Sequence, residues 1–233
     1  ASNYWSRLKL SARIEYEDLS GVASLDAADI RPQDWLDRYL PKSPIGVAVP
    51  AASLRAELRT DGKTSLEGSF DVRAASVEIL RSGERVQIEG VSIKGEAAAG
   101  VDEIAIRLSE AQFGASRFSR GELRYLRKSD EASGSVGFEL DLAQVMDAAR
   151  RMLPQQNRAA LEVIRSVAGM VQGNSKISSG RKDWSALVDI LKSTASVQLQ
   201  NLPEPVNLAG ASVTVAIKGE AAAGVDEIAI RLS

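Results

Sequence analysis

Apolar and polar residues alternate with a period of two along most of this chain, the pattern of strands with one apolar and one polar face. Leu8, Leu10, Ala12, Ile14 and Tyr16 alternate with Lys9, Ser11, Arg13 and Glu15. Leu54, Ala56 and Leu58 alternate with Arg55, Glu57 and Arg59. After the turn signal Asp61-Gly62, the rhythm resumes at Leu66, Gly68, Phe70 and Val72, and Val77 and Ile79 follow. Ser82-Gly83 predicts another turn, followed by Val86 and Ile88 and then, slightly out of phase, Val91 and Ile93. Ile104, Ile106 and Leu108 make a further run. Leu123 with Tyr125, and Val136, Phe138 and Leu140, flank the polar loop from Lys128 to Gly134. Short strands joined by short turns predict a mainly β chain, an antiparallel meander sheet.

One stretch breaks the rhythm. Leu142, Val145, Met146, Ala149, Met152 and Leu153 follow helical spacing from Asp141 onward. Pro154 marks a boundary. Ala160, Leu161, Ile164, Val167, Ala168 and Val171 make a second amphipathic stripe, ending near Gly173-Asn174. These stripes predict an inserted amphipathic helix pair packed on the sheet or capping it. Trp184 to Lys192 fits a short helix or, as we prefer, a strand continuing to Val197 and Leu199. Pro203 and Pro205 fit a turn or an extended edge, and Val213, Val215 and Ile217 return to strand spacing. The chain therefore divides into a β-rich sheet segment over 1–140, a helical pair over 141–173 and a β-rich continuation over 174–233, read as one continuous domain.

Residues 93–109 read IKGEAAAGVDEIAIRLS, and residues 217–233 repeat the same seventeen letters. Their upstream contexts differ, QIEGVS against SVTVA. A recent duplication or an engineered or mis-transcribed end is one reading, and a structural repeat held identical by selection is the other. Each copy reads as a hairpin turning at Ala-Ala-Gly-Val-Asp. Two identical hairpins competing for one place in a sheet would invite self-association through residues 217–233.

Composition narrows the chemistry. The 233 residues carry 29 Lys+Arg against 31 Asp+Glu, with no His and no Cys. Histidine-dependent and thiolate nucleophiles are thereby excluded, and the commonest zinc ligands are missing. A net charge of -2 argues against nucleic acid, which selects basic domains. Gly62-Lys63-Thr64 resembles the tail of a phosphate loop, but Glu57 stands where its first glycine belongs, so the triplet reads as a hairpin turn. Ser6 with Lys9, and Ser179 with Lys182, have serine–lysine spacing without a companion motif. Asp102-Glu103 and Asp226-Glu227 read as solvated turn charge, with no calcium-loop spacing. Arg117, Arg120, Arg124, Arg127 and Lys128 cluster with Phe118 and Tyr125, but strand alternation sends them to both faces. No catalytic residue, metal site or cofactor is expected. No stretch approaches the ~20 apolar residues of a membrane helix, and the opening Ala1-Ser2-Asn3-Tyr4-Trp5 carries no basic-then-apolar leader.

Several segments, in order, resemble the AsmA-like family of bacterial envelope proteins, which includes the TamB and YhdP types. They are Ala27 to Leu36 with its Ile-Arg-Pro-Gln-Asp-Trp-Leu run, Pro44-Ile45-Gly46-Val47, and the repeated strand units from Leu54 to Leu108. Phe138-Glu139-Leu140-Asp141-Leu142, Ile164 to Gly169, Asp183-Trp184 and Leu202 to Val215 continue the likeness. These are degenerate strand patterns that cover most of the chain and include no invariant catalytic motif. The sequence departs from full-length members in lacking their N-terminal membrane helix and in its verbatim terminal hairpin, which suggests a fragment.

The resemblance implies a long twisted sheet rolled into an open groove. It also implies a periplasmic protein, tethered to the inner membrane by the missing anchor, that moves phospholipid between the two membranes. Its lipid-lining candidates are Leu66, Phe70, Val72, Val77, Ile79, Val86, Ile88, Ile104, Ile106 and Leu108. A scaffold that binds partners by strand addition during outer-membrane assembly is the alternative. Alternation alone describes a filled core and an open groove equally well.

Overall fold

The computed structural model describes residues 5–31, 46–81, 84–153, 161–180, 183–207, 210, 212–220 and 224–232. The Asp34-Trp35-Leu36 stretch, the Ser82-Gly83 turn, Pro154 and Lys182 lie outside the described residues.

The alternating runs form strands, and each pairs antiparallel with a neighbour close in sequence. In chain order these are β1 (Arg7–Ile14), β2 (Gly21–Ile30), β3 (Gly46–Ala48), β4 (Ala52–Thr60), β5 (Leu66–Arg81) and β6 (Glu84–Ala99). They continue as β7 (Glu103–Phe113), β8 (Ser116–Leu126) and β9 (Glu131–Asp141). After the helix α1 (Leu142–Met152) come β10 (Ile164–Ala168), β11 (Met170–Ser179), β12 (Asp183–Ser193), β13 (Ser196–Leu199), β14 (Val206–Asn207), β15 (Val213–Glu220) and β16 (Gly224–Leu232). One large sheet has the order β1-β2-β4-β5-β6-β7-β8-β9-β11-β12-β15-β16, with β3 on the far half of β5. A small sheet holds β10-β13-β14. Among the described residues no ladder joins β1 to β16, so the large sheet is not closed into a barrel.

The turns show why neighbours in sequence become neighbours in space. Between β4 and β5, the Asp61 carboxylate accepts the backbone N–H groups of Lys63, Thr64 and Ser65 at 2.9–3.0 Å. Those three bonds hold its carboxyl well below the usual carboxylate range. Gly62 follows with φ +75 against the backbone of Asp18 and Leu19, where a Cβ would collide. Gly62-Lys63-Thr64 is thus the hairpin turn that its spacing predicts.

Asp141 caps α1, its side chain accepting the Gln144 N–H at 2.8 Å, and Arg150 and Arg151 sit in the last turn, where cations suit the helix dipole. Gln144 fastens the helix to the β7–β8 hairpin. It donates to the Phe113 carbonyl at 2.9 Å and accepts the Ala115 N–H at 3.1 Å.

From Ile164 onward the second stripe is not a helix. Leu161 and Glu162 are helical, but Ile164, Val167 and Ala168 lie on β10 and Val171 on β11. Among the described residues, 141–173 holds the helix α1, the helical Leu161 and Glu162, and strands from Ile164 onward, so the expected second helix does not extend over Ile164 to Val171. Gly169, at φ +111, bends the chain between β10 and β11, and a strand–bend–strand reproduced the helical spacing of apolar residues. The ladders of β11 with both β9 and β12 outweigh local periodicity there. The 183–193 segment is a strand, as preferred, but it does not continue to Leu199: the strand breaks at Thr194-Ala195 and Ser196–Leu199 pairs in the small sheet.

Candidate functional site

Alternation on every strand sorts the large sheet's residues into rows that run across it. One row, taken from β1 to β16, is Leu8, Ala27, Leu54, Val72, Ile93, Ala111, Phe118, Phe138, Gly173, Ile190, Val213 and Leu232. The adjacent row on the other face is Lys9, Asp26, Arg55, Asp71, Lys94, Glu110, Ser119, Gly137, Asn174, Asp189, Thr214 and Arg231. The first contains no polar side chain and the second no aliphatic one. Twelve strands hold one apolar face.

Six of the lining candidates meet on that face with β6 running between them. Val72, Phe70 and Leu66 on β5 oppose Ile93, Gly95 and Ala99, and these in turn oppose Ala111, Leu108 and Ile104 on β7. Ile106 pairs with Ala97. The other four candidates form a separate group at the far end of the β5–β6 pair, as Val77 opposite Ile88 and Ile79 opposite Val86. Five positions separate Val72 from Val77, so this group falls out of the alternation of the six. The change of phase comes beside Gly90, at φ +66.

Large residues on the apolar face stand opposite glycines. A Cβ on Gly95 would meet the Phe70 ring at 2.7 Å, one on Gly173 the Phe138 ring at 2.6 Å, and one on Gly121 the Leu108 Cβ at 2.7 Å. Each large side chain leans over the bare backbone of the next strand. This partly covers the face without a second layer.

Cover from elsewhere is local. The helix α1 touches β6, β9 and β10, and Val91, Ala111, Ser116, Val171, Ser193 and Ala195 are buried. Phe113 and Phe118 meet edge to face at 5.6 Å on the same hairpin. Elsewhere the apolar rows are half-buried with exposed members, Leu10 at 72%, Ile14 at 66%, Ile177 at 49% and Leu66 at 44%, while Ala27 and the lining candidate Val86 are buried. No large side chain among the described residues is fully buried. The candidates chosen from sequence stop at Leu108, yet the rows extend to Leu8 and Leu10 on one side and to Phe138 and Ile177 on the other. The same alternation was present there to be read.

The opposite face is ionic. Directly opposed residues alternate in sign across six strands, from Lys9 through Asp26, Arg55, Asp71 and Lys94 to Glu110. Asp26 accepts from both Arg7 at 3.1 Å and Arg55 at 3.2 Å. Arg73 bonds Asp71 at 2.9 Å, and this hydrogen bond holds the Asp71 carboxyl below its usual range. Such exposed pairs add little stability singly, but a one-residue slip would place them on the apolar face, so they enforce register. In the basic cluster, Arg124 pairs with Glu103 at 3.8 Å and Lys128 with Asp102 at 3.0 Å. A register shift beside Arg120 brings Arg117 and Arg124 into polar rows on one face, where alternation alone predicts opposite faces. The Ser6 hydroxyl donates to Asp29 at 2.5 Å.

The two verbatim segments occupy different registers. Ile93 pairs with Ala111, whereas its counterpart Ile217 pairs with Ile228, the counterpart of Ile104, a difference of seven positions. The first copy turns at 100–102 as expected, but in the second Glu220 pairs with Gly224, so Gly224-Val225-Asp226 belongs to β16. Among the described residues no group of three or more Asp or Glu could hold a metal ion. No family model, no curated protein and no solved structure matches this chain.

Proposed function

We propose that this chain is a non-enzymatic lipid-binding module that holds phospholipid acyl chains along the apolar face of its large sheet. The observation that supports this reading is the unbroken apolar row across twelve strands, left largely without a covering layer. A contiguous apolar surface of this extent calls for an occupant. Each methylene laid on it gains ~0.8 kcal/mol from burial, so an acyl chain binds through summed contacts and no single residue is essential. The ionic face keeps the other side of the sheet in water. Placement in the periplasm, between inner and outer membranes and tethered by an anchor outside this chain, rests on the sequence resemblance and belongs to the same proposal.

The test is native mass spectrometry of the purified chain with organic extraction, alongside Phe70→Asp and Ile106→Glu. Co-purifying phospholipid that a charge at either position reduces while the β circular dichroism persists is the expected result. Lipid capture undiminished in both variants overturns the reading. A second reading, a scaffold that takes up partner proteins by strand addition, is favoured by β1, whose eight residues are all exposed at one end of the sheet.

A further inference from the structure

The strands of the large sheet end differently at their two ends. At the end marked by the β7–β8 turn, α1 lies against the sheet and is fastened through Gln144. The buried Val91, Ala111, Ser116, Val171 and Ser193 gather there. At the other end lie the β1–β2, β4–β5, β6–β7 and β8–β9 turns. One row of the apolar face runs directly beneath them, from Gly21 on β2 through Thr60, Leu66, Ile104 and Tyr125 to Trp184 on β12.

These turns carry apolar side chains out into solvent. Leu19 and Val101 are 61% and 65% exposed in the β1–β2 and β6–β7 turns, and Leu126, beside the β8–β9 turn, is 42% exposed. One such residue alone is ordinary on a protein surface, but here they converge on a single edge above the exposed Leu66. The backbone of each turn is closed on itself. The N–H of Glu15 donates to the Ser20 carbonyl at 2.8 Å, that of Gly100 to Glu103 at 2.8 Å and that of Asp130 to Leu126 at 2.9 Å.

We propose that this end of the sheet docks on a zwitterionic lipid bilayer. Leu19, Val101 and Leu126 enter the headgroup layer, and the row beneath them receives acyl chains from it; the proposal rests on the lipid-binding reading. Three observations favour lipid over a protein partner. Strand addition needs unpaired ladder groups, whereas closed turns enter a water-poor layer at little cost. Tyr125 and Trp184 stand at the level of the turns, and the Tyr125 hydroxyl donates to Asp130 at 2.9 Å. That places an apolar ring on the face and its polar end at the turn, as suits an aromatic at a membrane interface. The charges at the turns are mixed, with Lys128 paired to Asp102 at 3.0 Å and Lys63 beside Asp61, so they match zwitterionic headgroups and give no pull towards anionic lipid.

Flotation of the full chain with phosphatidylcholine vesicles tests the proposal. The parent should float, and Val101→Asp and Leu126→Asp should each weaken vesicle binding by about tenfold or more, since each puts a charge where an apolar side chain is buried. Leu191→Asp, at a residue 62% exposed towards the α1 end, should leave it unchanged. The chain has no Cys, so Val101→Cys and Leu191→Cys each accept a single environment-sensitive dye. Vesicles should blue-shift the dye at 101 and not the one at 191, which keeps the test valid if an Asp variant folds poorly. A parent that does not float overturns the proposal. So does flotation indifferent to both tip changes, a dye at 101 that vesicles do not shift, or binding that requires anionic lipid. Phospholipid retained by a parent that does not float would sink the docking alone. Flotation that depends on the tips, with lipid capture undiminished in Phe70→Asp and Ile106→Glu, would instead sink the lipid-binding reading.

Discussion

Replacing Gly95 with Ala tests whether large side chains over bare backbone are a condition of the apolar face. In an ordinary strand the change would stabilise by about 0.5–1 kcal/mol, because alanine loses less backbone entropy on folding. Here the new Cβ would lie 2.5 Å from the Arg107 carbonyl oxygen and 2.7 Å from the Phe70 ring. Forcing a methyl into a filled site costs about 1–3 kcal/mol. The clash outweighs the entropy gain, and the expected net loss is about 1–2 kcal/mol, read by urea denaturation at unchanged m-value. A double-mutant cycle separates the two contacts. Phe70→Leu removes the ring that the methyl would strike, so the double variant should lose less than the sum of the singles, by about 0.5 kcal/mol or more. Gly90→Ala is the control. Its Cβ meets nothing within 4 Å but its φ is +66, so it should cost about 1 kcal/mol from the left-handed backbone and show no coupling to Phe70. A Gly95→Ala variant as stable as the parent, or strict additivity with Phe70→Leu, would refute the argument.

Gln144→Ala removes the amide that bonds the part-buried Phe113 carbonyl and the exposed Ala115 N–H. It should lower stability by about 1–3 kcal/mol in the same denaturation assay; a loss near zero would mean that α1 is not fastened there. Asp61→Asn probes the β4–β5 turn through pH. The folded carboxyl of Asp61 is held below its unfolded value of about 3.9, so its stabilisation is present above that value and is lost as pH falls toward the folded one. The parent should therefore exceed the variant in stability at pH 7, and the gap should close as pH falls below about 4. A gap constant from pH 7 to pH 3 would contradict the hydrogen-bond cause.

Much of the sheet was legible because alternation on a strand is dictated by the pleat itself. Leu8 to Tyr16, Leu54 to Leu58 and Ile104 to Leu108 read directly as one-faced strands, and the hairpin at Asp61 reads from the side chain that builds it. The stretch from Ile164 to Val171 misled because apolar residues three and four apart satisfy a helix. They equally satisfy two short strands bent at Gly169, whose close approach to the Thr194 carbonyl is a tertiary fact. Lining residues were legible where the phase held and not where it broke. Val77 lies an odd number of positions from Phe70 and so belongs to the other alternation, with its partner Ile88. Whether a layer covers the face lies wholly outside the pattern, because the alternation of Leu66 and Phe70 is the same under a lid as in an open trough.

The repeated segment shows where register information resides. Seventeen identical residues bring identical propensities and identical alternation, yet their pairings differ by seven positions between the two sites. In the first site Lys94 lies between Asp71 and Glu110, and Glu96 opposes Arg107, so facing charges agree with the ladder. In the second, the ladder sets position 220 opposite Asp183 and Lys218 opposite Ser185 and position 227. The hairpin does not carry its own register. Its register differs with the strands beside it, and at the first site those neighbours carry the ionic row of β4 and β5. Where that row gives way to Asn174, Asp189 and Thr214, the same residues settle into a different pairing, so the charged face orders a sheet whose apolar face would accept several alignments.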